Sequence, residues 1–158
     1  MTSELFAHGS SALFSSNRMD WETPQHVFDE LDREFHFTLD AAASDMNHKV
    51  NHYFTVETNA LKQSWGGETV FCNPPYGRQI GDWVAKASAE ASKPGTLVVL
   101  LVPARTDTRW WHDYVQHRSE IRFLKGRLKF EHNKQPSQSA PFPSAIIILR
   151  SGIRKENT

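Results

Sequence analysis

Leu97-Val98-Val99-Leu100-Leu101-Val102 decides how the rest of the chain is read. The run has no polar face, is too short for an isolated buried helix, and falls far below the roughly 20 residues that span a bilayer. It reads as the central strand of a sheet covered on both sides. Outward from it, helical and extended patterns alternate. Upstream, residues 79–92 place Ile80, Trp83, Val84, Ala87 and Ala91 on one helical stripe, and Thr69–Cys72 reads as a short strand stopped by Pro74-Pro75, which cannot donate to a ladder. Further back, Thr23-Pro24 supplies an N-cap and a proline at the first helical position, followed by Val27, Phe28, Leu31 and Phe35 at helical spacing. Residues 35–42 predict a strand ending in Asp40. Downstream, Asp107 or Thr106 caps a helix through Trp110, Trp111, Tyr114 and Val115; residues 120–124 form a strand, residues 131–143 a polar, proline-broken loop, and residues 145–149 a last buried strand. This alternation predicts an α/β sandwich with a mostly parallel sheet, whose ligands lie outside the carboxyl ends of the strands.

The 158 residues are enough for one domain, expected over residues 21–150, with a Ser-rich arm over 1–20 and a tail over 151–158. Apolar residues make up 39%, including ten Phe and five Trp, which excludes disorder along the whole chain. Lys+Arg and Asp+Glu balance at 18 each, so composition does not suggest a globally polycationic coat. The balance conceals a division: residues 1–100 carry seven basic and thirteen acidic side chains, whereas residues 101–158 carry eleven and five. The basic half suits a polyanion. A single cysteine, Cys72, makes no internal disulfide and fits a reducing compartment, and neither a secretory leader nor a membrane span is read, so a cytoplasmic protein is expected. His48 and His52 are spaced as a helical metal pair would be, but no third ligand accompanies them, and no metal is expected.

Asn73-Pro74-Pro75-Tyr76 stands at the carboxyl end of a predicted strand, where chemistry is expected. Two readings apply. In the structural one, the prolines end the strand, Asn73 caps the turn and Tyr76 packs on the next helix. In the chemical one, the substrate is an exocyclic amino group, a poor nucleophile because its lone pair is delocalised. The Asn73 side-chain oxygen and the Pro74 carbonyl each accept one amino hydrogen and favour a pyramidal nitrogen, while Tyr76 stacks on the ring and rigid Pro75 keeps the acceptors aligned. No general base is needed before methyl transfer, because the amino group becomes acidic only as its nitrogen gains positive charge.

From Trp21 to Arg150 the chain resembles the phage-type N6-adenine DNA methyltransferases, a compact Dam-like group. The resemblance runs through Trp21-Glu22-Thr23-Pro24, Leu39-Asp40-Ala41-Ala42, Leu61 with Trp65, Phe71-Cys72-Asn73-Pro74-Pro75-Tyr76-Gly77, Val102-Pro103-Ala104-Arg105-Thr106-Asp107-Thr108, Gly126-Arg127-Leu128-Lys129-Phe130 and Pro143-Ser144. It implies a Rossmann-like core, S-adenosylmethionine as methyl donor, and transfer to a flipped-out adenine in double-stranded DNA by Asn73, Pro74, Pro75 and Tyr76. It further implies that Trp21, Thr23 and Pro24 reach the methionine part of the cofactor, that Asp40 with Ala41 and Ala42 engages its ammonium group, and that Asn59 stands where the family has an aspartate for the cofactor's adenine. The usual glycine-rich turn after the first strand is replaced by alanines.

DNA contacts are expected in the basic half: Arg122, Lys125, Arg127, Lys129 and Lys134 fall together against one Glu131, with Phe130 and His132 interleaved. Such a run is otherwise a solvated face. Arg105, after the central strand, is placed for a phosphate or the base pocket, or else pairs with Asp107. Cytosine N4 and a protein glutamine amide offer the same amino chemistry, and a catalytically silent DNA-binding relative is a further alternative.

Overall fold

A computed structural model describes residues 21–152. The expected arm over residues 1–20 and residues 153–158 of the expected tail lie outside the described residues. In chain order the elements are helix α1 (Gln25–Phe35), strands β1 (Leu39–Asp40) and β2 (Thr69–Cys72), helix α2 (Ile80–Ala91), and strands β3 (Leu97–Pro103), β4 (Glu120–Phe123), β5 (Glu131–His132), β6 (Gln135–Pro136) and β7 (Ser144–Arg150). A 3-10 turn at Ala60–Lys62 and a π-helical turn at Trp111–Val115 complete the set.

The apolar run from Leu97 to Val102 lies in β3, the middle strand of a five-stranded sheet ordered β1-β2-β3-β7-β4. Val98, Val99, Leu100, Leu101 and Val102 are fully buried, and at about 2 kcal/mol for each buried aliphatic side chain this strand alone contributes about 10 kcal/mol of gross hydrophobic stabilisation. The expectation of a mostly parallel sheet requires refinement. β1, β2 and β3 pair in parallel, but β7 lies between β3 and β4 and runs antiparallel to both, so the sheet is mixed. The cause is the connection from β4 to β7: it holds no crossover helix, so the chain turns back and its return strand must oppose its neighbours. The carboxyl ends of β1 to β4 and the first residue of β7 nonetheless share one edge.

Neighbouring residues of β4 show the layers. Arg122 meets Glu34 and Phe35 at the end of α1, whereas Phe123 stacks on Trp111, whose neighbour Trp110 lies against Gly81 of α2. Successive strand residues point to opposite faces, so α1 and α2 cover opposite sides of the sheet.

Several local expectations shift. Helix α1 starts at Gln25 with Pro24 as its N-cap residue, and no side chain of that residue caps it; the N–H of Gln25 donates instead to the Glu131 carboxylate at 2.9 Å. The hydroxyl of Thr23 is engaged by Asn73 and not by the helix. The helix runs through Phe35 and ends at His36 in the left-handed region, which confines β1 to Leu39–Asp40 rather than residues 35–42. The turn before Trp111 is capped by Thr108, which accepts from the Trp111 N–H at 3.3 Å, rather than by Asp107 or Thr106. Within the expected loop, β5 and β6 form a two-residue hairpin. Its central residues Asn133 and Lys134 both have positive φ, 50° and 65°, the demand of a turn matched to strand twist.

Ahead of β2, Trp65 is fully buried; its indole N–H donates to the Ala60 carbonyl at 3.0 Å and its backbone N–H to the carboxylate of Glu90. Glu90 is itself buried, with Lys93 at 2.6 Å and Lys86 at 3.6 Å. Burial alone would raise its pKa, but hydrogen bonds from Lys93 and the Trp65 N–H, with the two lysine charges, outweigh it and hold the carboxyl below its usual value. This cluster fixes the Ala60–Lys62 turn against α2. Among the described residues, no helix is long and apolar enough to cross a membrane.

Candidate active site

The site is assembled where β2 stops. Cys72 pairs opposite Leu100, and Pro74 and Pro75 have no N–H to continue the ladder. The next carbonyl of β3, that of Leu101, accepts from the Tyr76 hydroxyl at 2.9 Å instead. Tyr76 is fully buried, with Phe130 and Phe142 packed edge-on against its ring at 6.0 and 5.6 Å. Burial pushes its phenol well above the ordinary range, and the nearby charge of Arg105 only partly opposes this. In this conformation the ring offers no open face for stacking.

Asn73 does not cap its own turn. Its Nδ2 donates to the Trp21 carbonyl at 2.7 Å and to Thr23 Oγ1 at 3.0 Å. A backbone carbonyl can only accept, so the amide nitrogen must face Trp21, which fixes the orientation of the side chain. The amide oxygen Oδ1 is buried and has no hydrogen-bond partner among the described residues. No donor among them reaches the Pro74 carbonyl either. Buried acceptors are ordinarily satisfied, and a preorganised unpaired one is a reason to look for a ligand.

The residues that clamp Asn73 form a strap. Glu22 pairs antiparallel with Glu131, N–H to O at 3.1 Å one way and 2.8 Å the other, and the Lys134 N–H donates to the Glu22 carboxylate at 3.1 Å. Trp21 packs on Phe130 and Phe142, with ring centroids 5.4 and 5.5 Å apart. Thus residues 21–25, the β5-β6 hairpin and the end of β2 are one connected unit.

A narrow polar cleft opens beside Asn73, lined by Trp21, Thr23, Asp40, Ala42 and Lys49 among others. Asp40 is buried at the end of β1; its carboxylate accepts from the backbone N–H of Lys49 at 2.9 Å and of Ala42 at 3.3 Å. Burial raises its pKa despite these bonds and the charges of Lys49 and His48. Ala42 and Pro75 also line a second hollow of about 270 Å³, walled by Ala41, Phe54, Asn59, Leu61 and Trp83. The indole N–H of Trp83 is buried and has no partner among the described residues.

The structure therefore brings together Trp21, Thr23, Asp40, Ala41, Ala42, Asn59 and the whole of Asn73 to Pro75. Pro24 is buried behind this group as the start of α1. Lys49, Phe54 and Trp83 were not singled out from the sequence; Trp83 carried only the signal of a core position on the α2 stripe. His48 stacks on Tyr53 and His52 faces Glu68, outside both hollows. Among the basic residues, Lys125, Arg127, Lys129 and Lys134 are exposed beyond the carboxyl end of β4, on the edge that carries Asn73. Arg105 is half-buried beyond β3 and makes no ion pair with Asp107 among the described residues. Arg122 is half-exposed, and its guanidinium is engaged by Glu34 at 2.6 and 2.7 Å and Glu120 at 2.6 Å. Phe130, expected to interleave the cations, is buried.

The carboxyl edge of the sheet thus presents an amide of fixed orientation, whose oxygen has no partner among the described residues, beside a cleft lined by the Asp40 carboxylate. The chain belongs to the DNA N-6-adenine-methyltransferase (Dam) family, whose model matches residues 10–158. It is also 34% identical over 110 residues to a DNA N-6-adenine-methyltransferase of Escherichia phage T1, an alignment covering 68% of this chain. The chain spans about half, 45%, of that relative's length.

Proposed function

We propose that this chain methylates N6 of adenine in duplex DNA, using S-adenosylmethionine, and that residues 21–150 form a Rossmann-like methyltransferase domain. The observation that carries this reading is the Asn73 amide, held by its nitrogen and offering a buried, unpartnered oxygen at the end of β2. Such an acceptor takes one hydrogen of the target amino group, and the neighbouring Pro74 carbonyl takes the other. The nitrogen lone pair is thereby turned out of conjugation. Because both acceptors are fixed before substrate arrives, little reorganisation remains at the moment of reaction.

The two hollows fit the cofactor's chemistry. In the polar cleft the Asp40 carboxylate, with Trp21 and Thr23, would hold a cationic amino-acid group; the larger hollow, with Asn59 and a Trp83 N–H that has no partner among the described residues, suits an adenosine. Bound there, S-adenosylmethionine would supply an electrophilic methyl group on a sulfonium. A paired adenine cannot reach Asn73, so the base must leave the stack. For it to rest on Tyr76, Phe130 and Phe142 must move off that ring. Lys125, Arg127, Lys129 and Lys134, with Arg105 nearer the site, supply phosphate contacts. The buried free thiol of Cys72 accords with a reducing cytoplasmic setting.

The test is transfer of tritiated methyl to duplex DNA, followed by digestion and mass measurement of the nucleosides. N6-methyladenine is expected, and N4-methylcytosine or label confined to protein would refute the assignment. Asn73→Ala should lower turnover roughly a hundred- to thousand-fold while cofactor affinity stays within a few-fold. A near-normal rate would remove Asn73 from the chemistry.

A further inference from the structure

Glu131 is the lone acid in the run from Lys125 to Lys134, and a carboxylate facing phosphates would oppose the contacts its neighbours make. The structure shows where it goes instead. Its carboxylate accepts from the Gln25 N–H at 2.9 Å, at the surface, while its backbone pairs in both directions with Glu22. It therefore holds residues 22 to 25 at both ends. Between those ends sits Thr23, and just before them Trp21, the two groups that fix the Asn73 nitrogen. The preceding residue, Phe130, packs on both Trp21 and Tyr76. With the Lys134 N–H on the Glu22 carboxylate, these contacts connect the basic segment to the Asn73 amide.

We infer that Glu131 is a positioning residue: it ties the DNA-facing hairpin to the strap and, through the strap, sets the Asn73 oxygen at the angle the target amino group requires. The inference rests on the adenine-methylation reading above and deepens it. It accounts for an acid in a basic surface, and it makes the hairpin the route by which engagement of DNA is felt at Asn73. Glu131 touches no substrate; its effect is on turnover and not on affinity.

The experiment compares Glu131→Ala and Glu131→Gln in the full chain. The alanine variant lacks the Gln25 acceptor, and misplacement of a reacting group costs roughly ten- to a hundred-fold in kcat. KM for cofactor and for duplex DNA should stay near the wild-type values. The glutamine variant keeps an oxygen acceptor of the same reach and should recover most of the rate. A second readout does not depend on turnover: the side-chain amide signals of Asn73 in an ¹⁵N-labelled chain, assigned by their loss in Asn73→Ala. They should shift in Glu131→Ala and return in Glu131→Gln. Unchanged kcat and unmoved amide signals in Glu131→Ala would overturn the inference. So would a raised KM for DNA at constant kcat, which would place Glu131 on the DNA face itself, or glutamine failing to rescue while both variants lose equal thermal stability. If the wild-type chain transferred no methyl to adenine, the adenine reading would fall, and the amide signals would decide the positioning role alone.

Discussion

Replacing Thr23 by valine separates two roles that one hydroxyl was offered. Thr23 is 4% exposed, and its Oγ1 accepts from Asn73 Nδ2 at 3.0 Å rather than from the first turn of α1. Valine keeps the shape and removes the acceptor, so one amide hydrogen of Asn73 loses its partner while the Trp21 carbonyl still holds the other at 2.7 Å. An unmade hydrogen bond of this kind costs about 1–3 kcal/mol, and the lower end applies because Asn73 is only half-buried and water can partly compensate. A cost of about 1 kcal/mol lowers Tm by about 2–4 °C in a chain of this size. The catalytic effect is larger than that bond alone implies, because a loosened amide no longer presents Oδ1 at one angle. A roughly tenfold fall in kcat is expected, with Thr23→Ser retaining most of the rate. Saturating methyl-transfer assays beside thermal melts measure both quantities. If Thr23→Val lost stability but turned over at the wild-type rate, the Thr23–Asn73 bond would be structural alone and would not set the angle of the Asn73 oxygen.

Asp40 gives a pH prediction. Burial raises its pKa, so on acidification it loses its charge at a higher pH than an ordinary aspartate. Affinity for a cationic cofactor should therefore fall as pH drops through that raised value, and Asp40→Asn should bind weakly with little dependence on pH, both readable by titration calorimetry. Neutralising Arg127, Lys129 and Lys134 together should reduce the slope of log DNA affinity against log salt by roughly 0.9 for each phosphate no longer neutralised, at constant Tm. Arg122→Gln should do the opposite, lowering Tm with little effect on the slope, because Arg122 ties β4 to α1 through Glu34. Glu90 has a depressed pKa, so its contribution is present above the unfolded carboxyl value and is lost as pH falls through the lower folded one. Glu90→Gln should be less stable near neutrality and show a shallower loss in acid, measured by urea unfolding across pH.

The sheet was legible wherever a pattern was local. β2 and β3 announce themselves by apolar runs and proline stops, and the α2 stripe by its spacing. The direction of β7 was not legible, because Ile146, Ile147 and Ile148 read the same in a buried strand of either sense. The β5-β6 hairpin was hidden by its polar composition and Pro136, and by a turn that places Asn133 and Lys134, not glycine, at positive φ. At the site, the choice of Asn73 followed from its place at a strand end, and that of Asp40 from the family resemblance. What no local pattern records is the partner across the fold: Asn73 to Thr23 over 50 residues, Gln25 to Glu131 over 106. Those distant contacts turned a predicted cap into a clamp and a solvated acid into a brace.

The wedging of β7 between β3 and β4 governs the order in which the chain can become native. Among the described residues β4 has no other partner strand, and one whole edge of the all-apolar β3 is covered only by residues 144–150. Without that segment β3 would present an unpaired hydrophobic edge, the kind of surface that recruits other chains. A chain shortened before Ser144 should therefore aggregate rather than persist as a weak enzyme.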